Sequence, residues 1–192
     1  TVGRSHSLTT YTITMALLKH TSSSGFILAL TTALLCLAQM VAVEYTNVYG
    51  NELQSCSSEG MALTGYTRTG YCVDQNDDTG SHHICIDMSS ATGGDFCTVT
   101  GQSDWCSSEM ACHEDSSSSC AVQDWCVCQW AFSSYIQKAG GCDKIQNIVC
   151  DAINMQTIIA YQKASSSSSA IKDALDCIVD KCSLDLSMSM DL

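Results

Sequence analysis

Proline is missing from this 192-residue chain. Its turns must therefore be made by Gly, Asn, Asp and Ser, which reach turn conformations by other means. Basic residues are nearly as scarce: eight Lys and Arg stand against 20 Asp and Glu, for a net charge of −12. Between Glu44 and Gln137 the only Lys or Arg is Arg68. A surface so acidic repels phosphate backbones and anionic lipid, which argues against nucleic acid and membrane surfaces as partners. Long apolar runs are absent except for one, Phe26–Ala38. No Cys-x-x-Cys and no Asn-x-Ser/Thr sequence occurs, so neither the usual thiol-redox motif nor N-glycosylation is expected.

The first 43 residues carry no Asp or Glu. Met15 is followed by Lys19, then by the apolar run Phe26–Ala38, then by small residues near Ala38–Ala42. This order is that of a secretory signal peptide, and the run is short of the roughly 20 residues that span a bilayer. Residues 15–42 are accordingly expected to be a signal peptide, and 1–14, upstream of a plausible start at Met15, a gene-model extension. The mature protein is expected to be secreted, with no membrane association after signal removal.

Secretion changes how the 14 cysteines read. Cys36 would leave with the signal. Cys56, Cys72, Cys85, Cys97, Cys106, Cys112, Cys120, Cys126, Cys128, Cys142, Cys150, Cys177 and Cys182 remain. That density in an oxidising compartment means disulfides, each contributing about 2–4 kcal/mol by restricting the unfolded chain. The number left is odd, so one thiol is free, shared between chains or bound to something.

The expected fold is α+β: a small disulfide-rich domain with short strands and turns in its N-terminal half and two to three helices at its C-terminus. Asp74–Gly80 (DQNDDTG) is a turn cluster, and Ile84 and Ile86 mark a strand within Ser81–Met88. Ser89–Ala121 reads as an irregular loop tied by Cys97, Cys106, Cys112 and Cys120. Asp124 as N-cap and Gly140 as the residue past the end place a helix over Trp125–Ala139. Apolar periodicity places a second over Asp143–Lys163 and a third over Ala170–Lys181, with a serine linker at Ala164–Ser169. The last two can form an antiparallel hairpin, which would bring Cys150 and Cys182 together as a disulfide. The boundaries expected are a cysteine-rich domain at 43–164 and a linker, extra helix and tail at 165–192.

Several segments form an ordered set: NVYGNELQSCS (Asn47–Ser57), LTGYTRTGYC (Leu63–Cys72), DTGSHHIC (Asp78–Cys85), DWCVC (Asp124–Cys128) and IVCDAIN (Ile148–Asn154). In content and order they resemble the uncharacterised domain-of-unknown-function family number 2237, over about Asn47–Tyr161. The resemblance singles out Cys56, Arg68, Cys72, Asp78, His82, Cys85, Trp125, Cys126 and Cys128 as motif positions. The family's proline-rich stretch has no counterpart here, where the Ser89–Ala121 loop stands instead, and Asn154 occupies the place of a late His. No activity comes with the resemblance.

These positions allow several chemistries. Thiolate and imidazole are zinc ligands, and a set centred on His82, Cys85, Cys126 and Cys128, with Cys72 near by in motif, would suffice for one ion. In a secreted chain disulfides compete for the same sulfurs. Cys126 and Cys128 could instead form a redox dithiol. On a helix they would point about 200° apart, and on a strand they would share a face. Asp74, Asn76 and Asp78 alternate as an EF-hand loop begins, but position twelve is Cys85 rather than Glu. A turn capped by its own side chains explains them better. His82 and His83 lack a nucleophile motif beside them. Trp105, Trp125 and Trp130 suit either a sugar-stacking platform or a core packed on disulfides.

The leading expectation is a non-enzymatic extracellular binding or structural module with a protein or glycan partner and no cofactor. The alternative is a metal-binding (zinc) or thiol-redox domain centred on the His/Cys cluster.

Overall fold

In the computed structural model, residues 46–90 and 94–186 are described. The proposed extension and signal peptide, at 1–14 and 15–42, lie outside them. Among the described residues no helix is long and apolar enough to cross a membrane.

The expected α+β architecture is what the chain adopts. Strand β1 (Ile84–Asp87) pairs antiparallel with β4 (Asp124–Val127), aligning Ile84 with Val127, Cys85 with Cys126, Ile86 with Trp125 and Asp87 with Asp124. Six of these eight residues are buried, all but Asp87 and Asp124, so the ribbon is a core element. Its β-branched and aromatic residues suit that pleated environment. The segment 147–149 runs along the other edge of β1, through Asp87 N–H to Asn147 O (2.9 Å) and Val149 N–H to Cys85 O (3.0 Å). A second small hairpin, β2 (Glu109–Ala111) with β3 (Ser119–Ala121), lies inside the cysteine loop. That loop also contains a one-turn helix, α1 (Phe96–Thr100), capped by the Asp95 carboxylate on Thr98 N–H.

Three longer helices follow: α2 (Gln129–Ala139), α3 (Met155–Ala164) and α4 (Ser169–Lys181). Gly140 ends α2 in the left-handed region at φ 92°, as its position led us to expect. Asn154 begins α3 by accepting from Gln156 N–H, and Ser168 begins α4 by accepting from Ile171 N–H. Phe132, Tyr135 and Ile136 of α2, Ile158 and Tyr161 of α3, and Ala174 and Ile178 of α4 meet Ile84, Ile86 and Val127 of the ribbon in one core.

Two helix boundaries differ from the sequence expectation. Asp124 is not an N-cap: Asp124–Val127 is strand, and Cys128 takes the N-cap position of α2. The ladder to β1 and the bond from Cys126 to Cys72 hold this stretch extended, and that tertiary pairing outweighs helical periodicity. The expected helix over Asp143–Lys163 forms only from Met155. Upstream lie two short 3₁₀ turns, Cys142–Lys144 and Cys150–Ala152, separated by the segment that edges β1. The third helix is found within one residue of the expected start.

Six disulfides stitch these elements: Cys56–Cys85, Cys72–Cys126, Cys97–Cys106, Cys112–Cys120, Cys142–Cys177 and Cys150–Cys182. The last is the bond expected from the hairpin. Cys97–Cys106 and Cys112–Cys120 each tie the long loop to itself, and Cys142–Cys177 and Cys150–Cys182 tie α4 to the two 3₁₀ turns.

Candidate functional site

The disulfides divide the cysteines into two sets. Those at the motif positions pair only among themselves, as Cys56–Cys85 and Cys72–Cys126, and leave Cys128 free. The other eight form four self-contained bonds in the loop and the C-terminal helices. The two motif disulfides sit side by side under the β1–β4 ribbon, in a buried cluster with Ala152. The Sγ atoms of Cys56, Cys72 and Cys85 all lie within 4.8 Å of one another.

That sulfur cluster is one of three donor groups of metal-binding composition among the described residues. The others, Asp95 with Cys97 and Cys106, and Glu114 with Cys112 and Cys120, are each one disulfide plus one carboxylate. Only the first brings together sulfurs from two different disulfides. Its chemistry depends on oxidation state. A disulfide sulfur is not a thiolate and does not hold zinc; reduced, the same atoms are a soft, buried thiolate set. His82 is not part of this group.

His82 belongs to a second arrangement. Its Nδ1 lies 2.7 Å from Asp78 Oδ1, and Asp78 also accepts from the backbone N–H groups of Gly80 (3.1 Å) and His82 (2.7 Å). The Asp78 side chain is 1% exposed. Burial pushes its carboxyl up, but the hydrogen bonds from His82 and Gly80 outweigh that and hold it below the usual carboxylate range. Both its oxygens are engaged within its own turn, so the calcium-like alternation of Asp74, Asn76 and Asp78 is a capped turn. With Nδ1 engaged by Asp78, the free nitrogen of His82 is Nε2. Tyr66 stacks on the imidazole, with 15° between the ring planes.

His83 points the other way. It is buried between Gln129 Oε1 (3.2 Å from Nδ1) and Asp74 Oδ1 (3.1 Å from Nε2). Desolvation outweighs the pull of Asp74 and lowers its pKa below 6.5, so it is a neutral structural group.

Arg68, His82, Trp105, Trp125, Cys126 and Cys128 line one pocket of about 270 Å³. Arg68 adopts φ 54°, a left-handed conformation uncommon outside glycine, and this turn sets its guanidinium 4.9 Å from the centre of the Trp125 ring. Trp105 tilts against Trp125 from the loop side, with ring centres 5.7 Å apart. Trp130 packs on Tyr161 instead, so the three tryptophans form no common platform. Arg68, His82, Trp125, Cys126 and Cys128 are thus brought to one pocket. Cys85 lies beneath it in the sulfur cluster, and Asp78 behind His82. Asn154, in place of the late His, is buried and donates from Nδ2 to Cys72 O (3.0 Å), bracing the same disulfide from below. Phe96, Gln102 and Met110, which the sequence does not single out, reach the pocket from the loop that stands in place of the family's proline-rich stretch, as Trp105 does.

No curated protein matches the chain. A family model described as an uncharacterized protein conserved in bacteria (DUF2237) matches residues 46–165, a span that contains the sulfur cluster, the His82–Asp78 pair and the pocket. With more than half its length accounted for by that model, the chain belongs to the DUF2237 family.

Proposed function

We propose that this domain is a thiol–disulfide exchange module working through Cys128. The observation that carries the reading is that the one cysteine without a disulfide among the described residues belongs to the same pocket lining as a disulfide-bonded cysteine, Cys126, and an Asp-oriented histidine, His82. The Cys128 thiol is half-buried rather than sealed. It stands at the N-cap position of α2. His82 Nε2 is the base that takes its proton. The thiolate attacks one sulfur of a disulfide, a new S–S bond forms to Cys128, and the displaced thiolate recovers the proton, so nothing is oxidised or reduced overall. The six disulfides support an oxidising compartment and hence secretion, where such exchange operates.

The test is a reaction of the native protein with 4,4′-dithiodipyridine, following the released thiopyridone. One equivalent is expected, none from Cys128→Ser, and a slower release from His82→Ala. Failure of the native protein to release any would show an inert thiol and defeat the reading.

Zinc binding is a second reading, favoured by the mutual 4.8 Å reach of Cys56, Cys72 and Cys85. Tetrahedral zinc with Zn–S of about 2.3 Å places its sulfurs about 3.8 Å apart. Reduction of both motif disulfides by a dithiol would supply these ligands and Cys126. Protein reduced and refolded with zinc should retain one ion against a weak chelator, and Cys72→Ser should lose it. A wild type that retains none leaves the cluster as a purely covalent brace. An extracellular binding module with a protein or glycan partner draws support from the exposed aromatics Tyr49, Tyr66, Tyr71 and Trp130.

A further inference from the structure

We infer that the two motif disulfides have a second native connectivity, in which Cys85–Cys126 and Cys56–Cys72 replace Cys56–Cys85 and Cys72–Cys126, and that a small monothiol interconverts the two. The change involves the buried sulfurs alone and not Cys128. Cys85 and Cys126 are aligned in the β1–β4 ladder. Cys126 N–H donates to Thr64 Oγ1 (2.9 Å) and Cys85 O accepts from Val149 N–H (3.0 Å), so their backbone groups face away from one another. Theirs is therefore a non-hydrogen-bonded position of an antiparallel ribbon. At such a position the Cα atoms lie about 4.5 Å apart and the two side chains project from the same face. A disulfide closes over Cα separations of roughly 4.4–6.8 Å, so a bond across the ribbon needs rotation of two side chains rather than movement of the strands.

The other two cysteines are as well placed. Cys56 N–H and Ser57 N–H both donate to Gly70 O (2.8 and 3.3 Å), which lays the chain at Cys56 beside the segment that ends in Cys72. The sulfurs of Cys56, Cys72 and Cys85 lie within 4.8 Å of one another. All four cysteines are at most 2% exposed and share one buried cluster, so a sulfur released there meets another sulfur before it meets solvent.

This arrangement sets the order of steps. Cys126 belongs to the lining of the 270 Å³ pocket, so exchange begins on its side. The thiolate of the monothiol bonds to Cys126 and displaces Cys72 as thiolate. Cys72 attacks Cys56, which forms Cys56–Cys72 and displaces Cys85. Cys85 attacks Cys126, which forms Cys85–Cys126 and returns the monothiol. Two S–S bonds are present before and after, and nothing is oxidised or reduced overall. The three sulfurs that meet in the middle step are the three in mutual reach. The outcome changes what is fastened to what. In the present pairing each strand of the ribbon is tied to the N-terminal segment. In the second the strands are tied to each other and residues 56–72 close on themselves. Hydrogen bonds such as Ala62 N–H to Ala121 O (3.0 Å) and Leu63 N–H to Ala111 O (2.8 Å) then hold that loop to the domain. The loop carries Arg68, so the pairing sets how firmly one wall of the pocket is anchored.

The test is a disulfide map. Native protein is equilibrated with 2-mercaptoethanol at about pH 8 without denaturant, quenched in acid and digested with pepsin, because sulfurs do not scramble where thiolates are absent. Peptides joined by Cys85–Cys126 and by Cys56–Cys72 are expected to rise together to at least about 1% of the molecules, the population of a minor native state, with the other four disulfides unchanged. A map that keeps the original pairing throughout would overturn the inference, because it shows a fixed brace. So would the third pairing, Cys56–Cys126 with Cys72–Cys85, appearing in equal amount, because that is random scrambling. The double variant Cys56→Ser/Cys72→Ser gives an independent reading. Cys85 and Cys126 are expected to join across the ribbon and resist alkylation until reduced. Both reacting at once in a folded variant would overturn the inference, and if the variant does not fold the wild-type map decides alone.

Discussion

Cys85 and Cys126 stand directly opposite one another across the β1–β4 ribbon, yet each is bonded elsewhere, to Cys56 and Cys72. The ribbon is thereby tied to two separate turns of the N-terminal segment. Loop-closure arguments rank the bonds. Cys72–Cys126 spans 54 residues and Cys112–Cys120 spans eight, which corresponds to about 4 and about 2.5 kcal/mol. We expect Cys72→Ser/Cys126→Ser to destabilise the domain more than Cys112→Ser/Cys120→Ser, read as the difference in urea midpoint at equal slope. The single variant Cys126→Ser adds a sharper test. It frees Cys72 within 4.8 Å of the Cys56–Cys85 sulfurs, so peptide mapping should find Cys72 joined to Cys56 or Cys85 in part of the protein. A Cys72 that stays wholly reduced would show the cluster too rigid for exchange.

The same ribbon sets two carboxylates against each other, Asp87 opposite Asp124. Burial, then the Asp87 charge, raises Asp124 to about 6. The folded state therefore holds this proton longer than the unfolded chain does. Stability from this group is greatest in acid and is lost as pH rises from about 4 through 6. At face value the shift is worth about 3 kcal/mol, which solvent around a half-buried carboxylate reduces to about 1. Asp124→Asn should stabilise the protein by about that amount at pH 7 and by almost nothing at pH 4 in chemical denaturation.

These two relationships also explain what could be foreseen. Cys150–Cys182, Gly140 and α4 follow from local rules of spacing and capping, and the structure has them where those rules put them. Asp124 misled because Asp before an amphipathic run satisfies the N-cap rule equally well when the run begins with a strand. What decides is a partner 37 positions upstream, Asp87, which no local pattern encodes. For the same reason the helix expected from Asp143 starts only at Met155: Ile148 and Val149 are claimed by the open edge of β1. The motif residues of the site were legible as a set. That Cys126 and Cys128 part company, one bonded and one free, was not, because spacing constrains neither connectivity nor the fold of the intervening loop.

His83 carries the opposite pH sign to Asp124. Its burial lowers the pKa below the unfolded value of 6.5, against the pull of Asp74, Gln129 and Asp78. The unfolded chain thus takes up a proton that the fold refuses, and stability falls as pH drops below 6.5. His83→Gln removes this slope while leaving a group able to bond Gln129 or Asp74. We expect the variant to be less stable than wild type at pH 7.5 but to lose less on going to pH 5. A wild type whose His83 slope is unchanged in the variant would show that the imidazole is charged in the fold.

Gly65 gives the plainest test of the turn that positions Arg68. It sits at φ 89°, and a Cβ there would lie 2.5 Å from the backbone oxygen of Tyr71. Gly50 has a similar φ, 76°, but open space around it. An alanine at Gly50 meets only the left-handed backbone penalty, about 1 kcal/mol. At Gly65 it must also push apart two strands of main chain, because the obstructing atom is not a flexible side chain. The Gly65-to-Arg68 turn is closed by Arg68 N–H to Gly65 O at 3.1 Å, so a shift at Gly65 moves the guanidinium off Trp125. Gly65→Ala should therefore cost about 3 kcal/mol or more against about 1 for Gly50→Ala. Equal destabilisation by the two substitutions would mean that the Tyr71 backbone gives way, and that the turn is not the rigid support of Arg68.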